Sequence, residues 1–305
     1  MSIYTDLALE ARELDAENEG VSDENESLGD IEITRIKILT ESAAKRIGKR
    51  MGKYVTIDAR RLTERPLDLF ERVSKNLASE ISGYLKGMDT DSEIMIAGLG
   101  NRNVTPDALG PRVAEKVFIT RHIKQYLPDA LDYPMYSTAS VVPGVLGTTG
   151  VETLELIKGL AEKLKPDLII AIDSLASRRA ARISTTIQLS DAGIDPGSGV
   201  GNIRSGLNEE TIGVPVLAIG VPLVVYASTI TQDAISLIAG ETGSIEDKDS
   251  VNALADKVIN EKMDGLIVTP KDIDRIVEDM SGIVADGINR ALYGDHYDEL
   301  KMLLL

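Results

Sequence analysis

The apolar positions of this chain recur with two periods that keep alternating, one of about two residues and one of about three and a half. Asp30–Leu39 alternates apolar and polar residues and reads as a strand. Thr40 is placed to cap a helix that runs to about Gly52, where glycine ends it. Tyr54–Asp58 is a short strand. Pro66 suits the first turn of a helix whose apolar face is Leu69, Phe70, Val73, Leu77 and Ile81. Glu93–Ala97 reads as a buried strand running into Gly98-Leu99-Gly100, and Thr105-Pro106 opens a helix to about Lys124. Tyr136–Val142 is a further strand. Thr149 and Glu152 have capping-box spacing for a helix to about Leu164. Pro166 separates that helix from the apolar strand Asp167–Ile172, which ends at Asp173. Residues 183–213 are rich in Ser, Thr and Gly and predict short strands and turns. Val214–Val221 is another buried strand, with helices following at about 223–239, 248–263 and 271–292.

No stretch repeats itself. Near-continuous apolar strands separated by helices predict an α/β fold: a mostly parallel sheet with helices on both faces, plus a small β-rich insertion near 180–213. A chain of 305 residues has room for one large domain of this kind. The expected division is an acidic N-terminal arm over residues 1–30 and a single α/β domain over 31–305.

Charge changes the picture at the N-terminus. The net charge is −16, yet residues 1–30 alone hold ten acids (Asp6, Glu10, Glu13, Asp15, Glu17, Glu19, Asp23, Glu24, Glu26, Asp30) against Arg12. Residues 34–65 then hold ten bases against three acids. Two readings stay open: a solvated acidic arm, or an arm folded back onto the basic segment. The basic segment has one aromatic, Tyr54, and an acidic protein around it, so it makes a poor nucleic-acid site. The chain has no Cys, which removes disulfides, thiolate metal sites and a cysteine nucleophile. Its two histidines, His122 and His296, limit both metal sites and Ser-His-Asp arrangements. With no Trp and two Phe the core must be aliphatic. No apolar run spans a membrane and no signal region opens the chain, so the expectation is a cytoplasmic protein without a membrane partner.

Ligands of open parallel sheets bind at the carboxyl ends of the strands. Two such ends carry chemistry here. The first is Gly98–Pro111 and the second is Ile169–Arg178. Gly98-x-Gly100 begins a dinucleotide fingerprint, but Asn103 stands at the third glycine position and no phosphate-loop Lys-Ser/Thr occurs. Asp107, in the expected first helical turn, and Asp173, at the expected strand tip, face one crevice if their strands are neighbours. Two close carboxylates share a proton, so one can activate water while the other donates. The competing reading is local: an Asp in a first turn favours the helix dipole, and a strand-end Asp satisfies loop amides. Ser174 and Ser177 lie in no Gly-x-Ser-x-Gly elbow. The glycines of 144–150 and of Pro196–Asn202 supply turns, or bring backbone close to an extended peptide. On the second reading Asn101, Asn103, Gly199 and Asn202 are candidate substrate-binding positions.

Several segments resemble one family. They are Thr5-Asp6-Leu7-Ala8-Leu9-Glu10-Ala11, Gly98–Pro111, Ile170–Ser174, Thr185-Thr186-Ile187-Gln188 through Gly197–Asn202, and Val268-Thr269-Pro270-Lys271-Asp272-Ile273-Asp274. In these the chain resembles the germination (spore) proteases of spore-forming Firmicutes, atypical aspartic endopeptidases. The resemblance implies a fold like that of the hydrogenase-maturation proteases, a homotetramer, no cofactor, and Asp107 and Asp173 as the catalytic acids. It implies small acid-soluble spore proteins as substrates, met in the forespore or spore core. Those substrates are cut within Thr-Glu-(Phe/Ile)-Ala-Ser-Glu, which Thr5–Glu10 resembles. The implication is a zymogen cut at Asp6–Leu7 to remove a propeptide of residues 1–6, with Met1 marking the unprocessed form. Fading charge on the acidic arm is then expected to make acidification the trigger. Two other functions remain open: a metal-dependent maturation-type peptidase, for which two carboxylates without His are a poor nickel or zinc site, and a non-enzymatic α/β protein binding acidic peptides or a nucleotide.

Overall fold

The computed structural model describes residues 5–127, 134–195, 206–232, 234 and 265–304. The expected helix at 248–263 lies outside the described residues, as do Gly199 and Asn202; of that at 223–239, residues 223–226 are strand, 227–232 are helical, and 233 and 235–239 lie outside the described residues. Among the described residues no helix is long and apolar enough to cross a membrane.

The architecture is α/β, built on one open sheet flanked by helices. In chain order the elements are α1 (Ala8–Glu13), β1 (Val21–Ser27), β2 (Glu32–Ile38), α2 (Glu41–Ile47), β3 (Gly52–Asp58), α3 (Leu67–Leu85) and β4 (Glu93–Gly98). There follow α4 (Leu109–Lys116), α5 (Arg121–Tyr126), β5 (Ser137–Val141), α6 (Leu146–Thr149), α7 (Thr153–Leu164), β6 (Leu168–Ser177) and β7 (Thr186–Ser190). Next come α8 (Glu209–Ile212), β8 (Val216–Tyr226), β9 (Ile267–Val268) and a long helix, Ile273–Tyr293. The sheet order is β1-β2-β3-β7-β8-β6-β4-β5, with β9 on β8. β8, β6, β4 and β5 run parallel. β1, β2, β3 and β7 pair antiparallel, as do β7 and β8. The strand of the Ser/Thr/Gly-rich stretch, β7, therefore belongs to the main sheet.

Strand alternation divides the core in two. Ile94, Ile96, Ile170, Ile172, Leu217, Ile219, Ile187 and Leu189 point to one face. There α3, α4 and the helix Ile273–Tyr293 cover them with Leu69, Leu77, Val113, Val277 and Val284. Met95, Ala97, Ile169 and Ala171 point to the other face, against Ile157 and Ala161 of α7. The small residues on this second face leave space near the strand ends, and the functional groups collect there.

The acidic stretch folds back. Ala8 and Ala11 of α1 pack on Ile36, Ile38, Ala43, Ile47 and Tyr54. Arg46 Nε lies 2.9 Å from the Asp15 carboxylate, and Arg35 reaches Glu24 and Glu26 of β1.

Several element ends differ from the sequence reading. The Thr40-capped helix stops at Gly48, whose φ of +72° takes the left-handed terminus, and Gly52 instead opens β3. The expected helix to Lys124 breaks at Val117–Thr120. There the Phe118 N–H donates to Asn289 Oδ1 and the Thr120 hydroxyl to the Tyr136 carbonyl, so tertiary partners replace the helical ladder. Thr149 closes α6, and the capping box belongs to Glu152 and Glu155 one turn later. β8 continues to Tyr226 and β6 to Ser177, because each supplies the other's hydrogen bonds through Ser177↔Val225.

Candidate active site

Asp173 sits within β6, not at its tip. It pairs across the sheet with Gly220 of β8, which in turn pairs with Gln188 of β7, so Asp173 and Gln188 share a face. Asp173 is 6% exposed, and its Oδ1 accepts the Ser174 N–H at 2.8 Å. Burial pushes its carboxyl well above the usual range, and the charges of Asp107 and Asp6 push it further. The Ser174 amide opposes them without prevailing. The structure thus brings the two aspartates together, and burial favours the protonated form of Asp173.

Asp107 closes a 3-10 turn, Thr105–Asp107, ahead of α4; it does not lie in the first turn of a long helix. Two glycines create this arrangement. Gly100 has φ +105°, and a Cβ there would lie 2.1 Å from the Asp107 carbonyl oxygen. A Cβ on Gly110 would lie 2.3 Å from the Leu99 carbonyl oxygen and 2.5 Å from that of Ile172. The glycines therefore let helix, loop and strand ends touch, which is the role the dinucleotide fingerprint would have given to a phosphate. The Asn101 N–H donates to Asp107 Oδ2 at 2.8 Å. Asn101 Oδ1 accepts the Asn103 N–H at 3.0 Å, so the first asparagine shapes the loop. Asn103 is exposed.

The N-terminal segment lies along the same face. Asp6 binds β6 at both ends of its residue: its N–H donates to the Ala176 carbonyl at 2.9 Å and its Oδ2 accepts the Ala176 N–H at 2.7 Å. Gln188 brackets the Asp6–Leu7 peptide bond. Its Nε2 donates to the Asp6 carbonyl at 3.2 Å and its Oε1 accepts the Ala8 N–H at 2.6 Å. Leu7 is fully buried. Lys49 Nζ donates to the Thr5 carbonyl at 2.9 Å; burial lowers its ammonium pKa, against the pull of Asp6, Asp195 and Glu10. Glu10 is 0% exposed and accepts from Thr5 Oγ1 at 2.5 Å and from the Arg178 and Arg179 N–H groups at 2.6 and 2.9 Å. Arg182, also buried, lies 3.4 Å from Glu10 and binds Glu13 and Asp58. A cavity of about 1130 Å³ opens beside the segment, with Thr5, Asp6, Lys49, Tyr54, Gln188 and Gly220 in its lining.

Gln188, Lys49 and the Glu10–Arg182 cluster were missed by sequence reasoning. A usable signal for Gln188 was its position as the polar alternate between Ile187 and Leu189. Arg182 and Glu10 carried none, because a buried charge looks like a surface charge in sequence. The Ser177 hydroxyl donates to the Arg179 carbonyl, and His122 is exposed. Among the described residues no group of three or more His, Cys, Asp or Glu side chains is placed to hold a metal ion.

A buried carboxyl whose protonated form is favoured, beside a second carboxylate and with Asp6 docked on the same strand, is chemistry suited to hydrolysing a peptide bond. The sequence comparisons agree. The germination protease family profile matches residues 2–260. The germination protease of Caldanaerobacter subterraneus subsp. tengcongensis is 48% identical over 307 residues, covering 96% of this chain and 94% of the relative. That of Clostridium acetobutylicum is 42% identical over 95% of each chain, and that of Bacillus cereus (strain AH187) 37% identical over 96% and 94%. The chain is a peptidase and belongs to the germination protease family.

Proposed function

We propose that this protein is an endopeptidase that begins the degradation of small acid-soluble spore proteins, made as a zymogen that cuts itself at Asp6–Leu7, with Asp107 and Asp173 as its catalytic acids. The observation that carries this reading is the buried Asp173 beside Asp107, its carboxyl pKa raised by burial and by that neighbour, with Asp6 docked on the same strand. Asp107, partly exposed, is the base: it takes a proton from water as the oxygen attacks the carbonyl carbon. Asp173 gives its proton to the leaving nitrogen. Asp107 then returns a proton to Asp173 through solvent, so each turnover adds one water across one bond. The spore-core setting and a homotetrameric assembly belong to the same proposal.

The test is incubation of the purified chain at neutral and mildly acid pH followed by intact mass, beside Asp107→Asn and Asp173→Asn. Loss of residues 1–6 in the wild type alone is the expected result. A mature N-terminus other than Leu7 removes the processing bond from the proposal, and full processing in either variant removes that acid.

A further inference from the structure

Gln188 is buried on a strand whose neighbours on that face are Thr186 and Ser190, and it is the side chain of β7 that reaches the N-terminal segment. Its orientation is fixed by chemistry. The Ala8 N–H can only donate, so the amide oxygen must face Ala8. The amide NH₂ therefore faces the Asp6 carbonyl oxygen, 3.2 Å away. Gly220 lies between Gln188 and Asp173 in the sheet, and the Leu175 side chain packs over it, 2.5 Å from where a Gly220 Cβ would stand. By that register the amide lies on the same face as the Asp173 carboxyl.

We infer that Gln188 is a further catalytic residue: its Nε2–H donates to the carbonyl oxygen of the bond being cut and stabilises the oxyanion formed there. This rests on Asp6–Leu7 being the processed bond. When water adds to the Asp6 carbonyl carbon, the C=O electron pair moves onto oxygen. A neutral hydrogen bond then becomes a charge-assisted one, stronger in the transition state than in the ground state. No proton leaves Gln188. The oxygen re-forms its double bond as the C–N bond breaks, and the pair on nitrogen takes the proton from Asp173. The second contact, Oε1 with the Ala8 N–H, holds the chain on the far side of the same bond, so one amide fixes both flanks. The strand makes this donor rigid: Ile187 and Leu189, fully buried on the opposite face, anchor the backbone on either side of it.

The experiment measures the first-order rate of loss of residues 1–6 by intact mass in the full chain, for the wild type, Gln188→Leu and Gln188→Glu, each checked for a cooperative thermal transition. Gln188→Glu keeps the shape and the acceptor for Ala8 but loses the donor. Both variants are expected to slow by about 10²–10³-fold while remaining folded. A second arm uses a peptide of the Thr5–Glu10 sequence in trans, where kcat is expected to fall and KM to hold. Processing within about tenfold of wild type in both variants overturns the assignment. So does a Gln188→Glu variant that processes at the wild-type rate while Gln188→Leu is slow, since Gln188 would then act only by holding Ala8. A wild type that releases nothing overturns the Asp6–Leu7 reading itself, a different outcome from either.

Discussion

The two halves of the sheet are held together by different physics. In the parallel half, β8, β6, β4 and β5 place Ile94, Ile96, Ile170, Ile172 and Ile219 in a dry aliphatic layer. In the antiparallel half, β1 is Val-Ser-Asp-Glu-Asn-Glu-Ser, exposed along almost its whole length. It is retained by its ladder to β2 and by Arg35, which spans Glu24, Glu26 and Glu80. The first half resists rearrangement and can hold a costly buried carboxyl. The second is an edge that charge both holds and protects from further pairing. The two proposed acids belong to the stiff half, Asp173 within β6 and Asp107 in the turn that follows β4. The N-terminal segment is anchored to both, through Ala176 of β6 and through Asp15–Arg46.

The largest effects that separate the halves are catalytic. Asp107→Asn and Asp173→Asn are expected to lower the processing rate by roughly 10²–10⁴-fold with the thermal transition retained. For Asp173→Asn the transition should rise at neutral pH, since a buried ionisable group is replaced by a neutral one. A variant that loses its fold instead would make that aspartate structural.

Next come losses of stability. Leu77 is fully buried between α3 and the helix Ile273–Tyr293, where a Cβ on Gly287 would lie 2.7 Å from its side chain. Leu77→Ala should cost about 2–5 kcal/mol by denaturant titration. Glu10→Gln removes a charge that receives three donors in a dry site and should cost about 1.5–3 kcal/mol. An unchanged midpoint for either variant would show the site collapsing or hydrating without strain.

The pH dependence distinguishes the halves by sign. Asp173 has a raised pKa in the fold. Its contribution to stability is complete below the unfolded value of 3.8 and is lost as pH rises through the folded value. Asp15 goes the other way. Burial opposes its charge, but Arg46 and Arg12 outweigh it and hold the carboxyl below 3.8. Its contribution is present above 3.8 and is lost as pH falls through the lower folded value. Arg72 lowers Asp30 likewise. The Asp15 and Asp30 clamps therefore persist to lower pH than a free carboxylate would allow. Unfolding titrations of Asp173→Asn and Asp15→Asn should flatten the alkaline and the acid limb respectively, by up to about 1.4 kcal/mol per unit of pKa shift. Flattening of the same limb by both would refute the division.

Sequence legibility followed the same line. The isoleucine-rich strands and the Leu69–Ile81 helix face were readable because burial leaves a period. Asp107 was readable because its loop carries glycines that the backbone needs, and Asp173 because it interrupts an apolar run. β1 was not, since an edge strand that is polar on both faces has no alternation to detect. α1 was obscured by its charges, as Glu10 is buried while Glu13 is not. Gln188 needed the register of three strands to bring it to Asp6. Element ends were the other loss: the Thr120–Thr138 contacts that stop α4 early join residues 18 apart.

The smallest prediction is the sharpest control on the comparison. Glu24→Gln is the same chemical change as Glu10→Gln, in the same acidic stretch. The Glu24 side chain is 72% exposed and sits 3.5 Å from Arg35. Water already screens that pair, and Arg35 keeps the closer Glu80 at 2.5 Å. The expected cost is under about 0.5 kcal/mol, fading further as salt is added. If Glu24→Gln proved as damaging as Glu10→Gln, the edge would be held by individual ion pairs. A near-zero value assigns its cohesion to the β1–β2 backbone ladder, with the surface charges serving to keep the edge from pairing.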